Sequence, residues 1–273
     1  MFAPASDTQI THLGRLWLYI ACGLVMLFLV VPSFIVIPMS FSASTYLEFP
    51  PREWSFRWYE EYFGSIEWIE ATVVSLKVAV VTMVVATTLG TAAAYGLQVS
   101  RLRITSMIQV ALMMPLMVPI ILVSIGIFFL YAKLGLNYTL SGLIMAHTVL
   151  AIPFVVVTVT AGLKTYDMNQ EMVARSLGAP RLRAFLSITL PQIRFSVIAG
   201  ALFAFITSLD EVIVALFISG GENATLTRRM FNSLRDQIDP TIAAISTCLI
   251  VVSISLLMIG QYFGQQKERR QQP

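Results

Sequence analysis

Two adjacent carboxylates, Asp210 and Glu211, stand about fifteen residues into an otherwise apolar stretch, where an ionised group is costly unless it faces a cavity or a partner. Neighbouring positions on a helix point about 100° apart, so one of the two is expected to face a pathway. Asp210 and Glu211 are therefore the candidates for contact with a solute in transit. The competing role for Asp210 is an ion pair, with Lys77 or with another subunit. Lys77 is expected to snorkel outward from its own apolar run, and His147 is read as a hydrogen-bonded packing group in competition with a proton relay. Covalent chemistry has little to be built from. His12 and His147 are the two histidines, and Cys22 and Cys248, without CxxC spacing, both lie in apolar runs. Neither a metal centre nor a histidine-based triad is expected, and no residue is assigned a catalytic role. None of the lysines (Lys77, Lys133, Lys164, Lys267) follows a glycine, so the chain carries no phosphate-binding G-x-x-x-x-G-K-[ST] loop. The sequons at Asn137 and Asn223 are treated as chance matches to a weak pattern.

The second constellation is GAPRLRAFLSITLPQ, Gly178 to Gln192, inside a polar stretch from Leu163 to Arg194. Asn169 to Leu177 is helix-forming and ends at Gly178, a natural C-cap. Pro180 can open a second short helix, whose Leu182, Phe185, Leu186 and Ile188 share one face and which Pro191 is expected to close. A connector needs no glycine-hinged amphipathic pair. The spacing predicts a surface for a partner, or an interfacial anchor on lipid.

The elements that must position these residues follow from composition. With 57% hydrophobic and 12% charged residues and a mean hydropathy of +0.78, the chain reads as a polytopic membrane protein. Apolar runs at approximately 15–39, 70–97, 107–132, 140–162, 195–218 and 241–262 are each long enough to cross a bilayer, so six helical spans are expected in one transmembrane domain covering 1–273. Pro115, Pro119 and Pro153 predict kinks. The first run is read as a retained span, since it is longer than a signal-peptide core and lacks an A-x-A site. Arg15, Arg101, Arg103, Lys164, Arg175, Arg181, Arg183, Arg194, Lys267, Arg269 and Arg270 all fall on one side of this topology, which makes that side cytoplasmic and places both termini and the Gly178 stretch there. The longest segment on the other side, Phe41 to Ile69, interleaves Trp54, Trp58, Tyr59, Tyr62 and Trp68 with Glu53, Glu60, Glu61 and Glu67. It reads as an interfacial aromatic belt or as a docking surface for a soluble partner. No basic patch suggests nucleic acid.

Gly178, nine residues, then Ile188-x-Leu190-Pro191 resembles the EAA motif, the cytoplasmic loop by which permease subunits of binding-protein-dependent ABC importers engage their ATPase. AHTVLAIPFVVVTVTAGLKTYD (Ala146 to Asp167), SLDEVIVALFISG (Ser208 to Gly220) and DPTIAAISTCLIVVSISLLM (Asp239 to Met258) are similar to the spermidine/putrescine permease subfamily. The resemblance implies an all-α, six-span, type I importer (MetI-like) fold with a coupling-helix loop formed by Glu171, Ala174, Gly178, Ala179, Ile188, Leu190 and Pro191. It further implies a second homologous permease subunit, a pair of ATPase subunits that hold the ATP and magnesium, a periplasmic or lipid-tethered binding protein, a small-molecule substrate and a place in the bacterial inner membrane. Two positions depart from the pattern. The family's glutamate falls on Met172, with Glu171 one residue early, and Ile120 stands where polyamine-carrying relatives place an acid after the proline matching Pro119. A polyamine is the implied substrate, with 4-aminobutyrate or another zwitterion as competitor. An ion-gradient-driven transporter using His147, Asp210 and Glu211 is the alternative from another class, disfavoured by the absence of an internal repeat.

Overall fold

The computed structural model describes residues 15–100, 102–236 and 238–271, so His12 and Arg101, both cited above, lie outside the described residues. The chain forms two compact units, one of residues 1–64 with 237–249, the other of 65–236 with 250–273.

In the first unit α1 (Leu16–Ser40) is apolar on every side, and its 18-residue hydrophobic window is wholly unburied within the chain, as suits a helix surrounded by lipid or another subunit. The segment after it is folded. Ser42 pairs with Trp54 as an antiparallel bridge, Ser55 N–H donates to the Phe41 carbonyl at 2.7 Å, and the Phe41 ring meets those of Trp54, Phe56 and Tyr59. The Ser40 hydroxyl lies 2.7 Å from that of Tyr59, which ties the end of α1 to α2 (Arg57–Gly64). Trp58 and Tyr62 are buried while Trp54, Glu53, Glu60 and Glu61 are exposed, so only part of the expected aromatic set faces outward. The last helix, α12 (Thr241–Gln271), starts in this unit.

The second unit is built on α3 (Ile66–Val99), α6 (Leu140–Thr165) and α9 (Leu190–Asp210), and the last begins as a helical run at Arg181. Alanines 86, 94, 151 and 204 and valines 155, 156 and 159 form its core. Small residues let the backbones approach, which is how apolar helices associate where lipid is as oily as the protein. A methyl carbon on Gly90 of α3 would sit 2.7 Å from Val155 Cβ, and one on Gly200 of α9 would sit 2.7 Å from Thr158 Oγ1 and 3.2 Å from Val155 Cα, so α6 leaves little room for a side chain at either position. Pro153 lies within an unbroken α6, whose start is capped by the Thr139 hydroxyl accepting from Gly142 N–H at 3.1 Å.

Two of the expected spans are broken. The run expected at 107–132 is α4 (Thr105–Met117) and α5 (Ile120–Leu134), which meet at 101°; Pro119, whose ring fixes φ and disfavours helical geometry at Val118, stands at the bend. The run expected at 195–218 ends as α9 at Asp210 and resumes as α10 (Ile213–Ile218). Among the described residues four helices are long and apolar enough to cross a membrane, or five if the bent pair is one span, and in α12 the described apolar part is the shorter Thr241–Ser255. A further helix, α11 (Leu226–Asp236), is fixed to α3 by Leu226 N–H donating to Ser75 Oγ at 2.8 Å and by an Arg229–Glu67 ion pair beside the Trp68 ring.

Replacing Gly200 by leucine is expected to destabilise the purified protein by about 1–3 kcal/mol, because the added side chain meets Thr158 and the Val155 backbone of α6. Thermal unfolding in detergent measures this, with Gly23→Leu, a site with no atom within 4 Å of the added carbon, as the variant expected to match wild type.

Candidate functional site

The stretch around Gly178 folds as α7 (Asn169–Ser176), a turn, and α8 (Arg181–Ala184). Gly178 has φ +93, a left-handed conformation that a side chain would strain, and its N–H closes the turn on the Arg175 carbonyl at 3.0 Å. The second limb differs from expectation. Rather than ending at Pro191, it passes through a π-helical turn (Phe185–Thr189) directly into α9. Leu190 N–H reaches back five residues to the Phe185 carbonyl, and Pro191, which has no N–H to donate, follows inside the first turn of α9. The wider turn absorbs the proline that would otherwise break the helix.

The expected apolar face is divided. Phe185 turns inward onto the Tyr95 ring with centroids 4.5 Å apart, whereas Leu182 is 70% exposed and Leu186 is also exposed, beside Leu177 at 85%. These leucines and exposed Met172 and Val173 give the loop an outer apolar surface, with Arg181 and Arg183 at its edge. Of the other residues expected there, Gly178 and Pro191 are exposed, and Ala174, Ala179, Ile188 and Leu190 are half-buried. Glu171 is on the inside, 2% exposed. Its two oxygens accept from Tyr95 Oη at 2.5 Å and Thr189 Oγ1 at 2.6 Å, and Arg181 Nε lies 3.4 Å from the same Tyr95 oxygen. Its one-residue offset is thus a change of direction, from the surface of the loop to its interior. Tyr95 and Thr189 were not singled out from the sequence. Tyr95 stands some eighty residues upstream in an apolar run, and no local pattern links it to the loop.

At the other break, Asp210 is the last residue of α9 and Glu211 is already in extended backbone, so the end of the helix, and not helical periodicity, separates them. Asp210 is exposed; Glu211 is buried, its Oε1 accepting from Val214 N–H at 2.9 Å and its carbonyl from Thr227 Oγ1 at 2.9 Å. Glu211 therefore satisfies backbone groups freed by the break. α10 packs on α5, with Phe217 and Phe128 in contact, so the two interrupted helices are neighbours, and Ile120 is the first residue of α5. Non-helical backbone at membrane depth is tolerated where protein covers it or where it lines a cavity. His147 is buried, its Nδ1 2.8 Å from Ser208 Oγ, a bond that joins α6 to α9. Among the described residues the ion pairs are Arg229–Glu67 and Arg235–Asp236, and neither includes Asp210 or Lys77, which is exposed. No group of three or more potential metal ligands occurs among the described residues.

Comparison with known proteins adds to this geometry. The family described as "Binding-protein-dependent transport system inner membrane component" matches residues 86–269. The spermidine/putrescine transport system permease protein PotC of Haemophilus influenzae is 29% identical over 235 residues, which cover 86% of this chain and 91% of that one. The putrescine transport system permease protein PotI of Escherichia coli K12 is 30% identical over 262 residues, covering 93% and 92%. In structure the chain is similar to one from a bacterial ABC transporter involved in import of the acidic polysaccharide alginate, with a TM-score of 0.75 at 15% identity, over 94% of this chain and all of that one.

The burial of Glu211 predicts a stability phenotype. Glu211→Ala is expected to cost about 1–3 kcal/mol by leaving a buried N–H without its acceptor, while Glu211→Gln, which keeps an acceptor oxygen, loses much less. Unfolding temperatures of the two purified variants separate these cases; equal losses would mean that the charge, and not the bond to Val214, is what matters.

Proposed function

The chain belongs to the family of binding-protein-dependent transport system inner membrane components, and from that premise we propose that it moves a polyamine or a closely related small amine across the membrane, driven by separate ATPase subunits. As a member of that family it is a multi-pass permease subunit of a bacterial ABC importer in the inner membrane, a transport subunit and not itself an enzyme. The observation that carries the proposal is the loop. An outward surface of Leu177, Leu182 and Leu186 stands at the end of a helical run that continues without interruption to Asp210, and this is what a subunit moved by a partner requires. Apolar anchors of this kind supply the affinity at a protein interface, and Arg181 and Arg183 at the rim favour an acidic partner surface.

In this reading two ATPase subunits bind ATP and magnesium, a second homologous permease completes the pathway, and a periplasmic or lipid-tethered binding protein delivers solute. The loop and both termini are cytoplasmic. Closure of the ATPases moves the loop and opens the spans outward, so that access alternates between the two sides. Asp210, exposed where α9 breaks beside the α5–α10 pair, is the group assigned to a cationic solute; Glu211 holds the break in shape. The similarity to PotC and PotI supports a polyamine. Ile120, the first residue of α5, stands where the family resemblance leads us to expect an acid; that leaves one carboxylate fewer for a multiply charged cation and favours 4-aminobutyrate as the second reading.

The test is ATP-dependent uptake in vesicles containing this chain, its partner permease, ATPase and binding protein. Labelled putrescine or spermidine is expected to accumulate, Asp210→Asn to lower uptake at least tenfold with the complex intact, and Gly178→Trp to release the ATPase during purification. Preference for labelled 4-aminobutyrate would replace the polyamine assignment, and uptake unaffected by removing ATP would end the ABC reading.

A further inference from the structure

The inner side of the loop carries a consequence for how force reaches the spans, and it rests on the permease reading above. Glu171 belongs to α7, Thr189 to the π-helical turn and Tyr95 to α3, yet one buried carboxylate bonds to both hydroxyls. Arg181, the first residue of α8, approaches the same tyrosine, with Nε 3.4 Å from its oxygen and its guanidinium carbon 5.6 Å from the ring centroid. The two limbs of the loop, separated by Gly178, thus converge on a single side chain of a different helix. At the turn itself a carbon added to Gly178 would meet no atom within 4 Å, so neighbouring packing does not fix the limbs there.

We infer that Tyr95 is the positioning residue that makes the loop move with α3 as well as with α9. Covalent continuity already carries motion from α8 into α9. α3 has no such connection to the loop, and the Tyr95–Glu171 bond supplies it. A hydrogen bond from a hydroxyl to a water-excluded carboxylate oxygen is strong, and losing it leaves that oxygen with no ready substitute, so the contact resists stretching. Because α3 packs along both α6 and α9, displacement at the outer leucines is passed to three helices together.

The discriminating variant is Tyr95→Phe, which keeps the ring against Phe185 and Arg181 and removes only the hydroxyl. In the vesicle system with labelled putrescine and 4-aminobutyrate as probes, the ATPase is expected to remain bound and hydrolysis to stay within twofold of wild type, while solute imported per ATP falls at least fivefold. A second readout is independent of substrate. Spin labels at Gln98→Cys on α3 and Gln170→Cys on α7, in the full chain with Cys22 and Cys248 replaced by serine, are expected to give a narrow distance distribution that broadens in Tyr95→Phe. The double variant Tyr95→Phe with Glu171→Gln replaces the carboxyl group that has lost its Tyr95 partner by an amide of the same shape. Recovery of thermal stability with import per ATP still low supports a positioning role; recovery of both shows that the pair is only structural and overturns the inference. An unchanged import ratio in Tyr95→Phe also overturns it, whatever the distance distribution shows. If wild type imports neither probe, the solute assignment fails, and the spin-label width alone decides: broadening supports the Tyr95 link and an unchanged width refutes it.

Discussion

The distance at which α6 meets α3 and α9 is set by what is missing from two residues. Gly90 and Gly200 flank Val155, and a single carbon would collide with Val155 at the first and with the Thr158 hydroxyl at the second. In a hydrocarbon solvent no hydrophobic force drives helices together, so dispersion and close backbone approach must do so. This contact sets how closely the three helices pack, and both sites are carried on them. The loop is joined to α9 by the chain and to α3 by Tyr95, and the break at Asp210 lies at the far end of α9.

The same solvent explains where the chain can afford to be irregular. Each break in a span frees backbone N–H and C=O groups that lipid cannot satisfy. At the end of α9 the Glu211 carboxylate and the Thr227 hydroxyl take up groups freed there. A buried acid beside a membrane-level break therefore has a structural duty before any functional one, whereas its neighbour Asp210 is exposed. His147 follows the same logic, since its bond to Ser208 gives a polar ring in an apolar core a partner on the next helix.

How much of this was legible in the sequence depended on whether the deciding interaction was local. The apolar runs, the Gly178 turn and the short helix before it were readable because length, hydropathy and glycine's positive φ act within a few residues. The bend at Pro119 was foreseeable as a kink, but its size was not, since that is set by how α5 packs on α10. The continuity through Pro191 was missed because one π-helical turn cancels a proline that, on its own, signals an ending. Glu171 shows the limit most clearly. Its offset from the familiar spacing was visible, but its direction depends on Tyr95 and Thr189, which meet it only in three dimensions.

The uninterrupted helical run from Arg181 to Asp210 is thirty residues, a rod of about 45 Å. With a fulcrum where Gly200 rests on α6, about two-thirds of the way along, a tilt of about 5° would carry the Arg181 end about 2.5 Å and the Asp210 end about 1.3 Å, in opposite directions. Such a lever needs no relay of rearranging side chains to link one face of the membrane to the other. Its mechanical advantage is fixed by the position of a single glycine along its length.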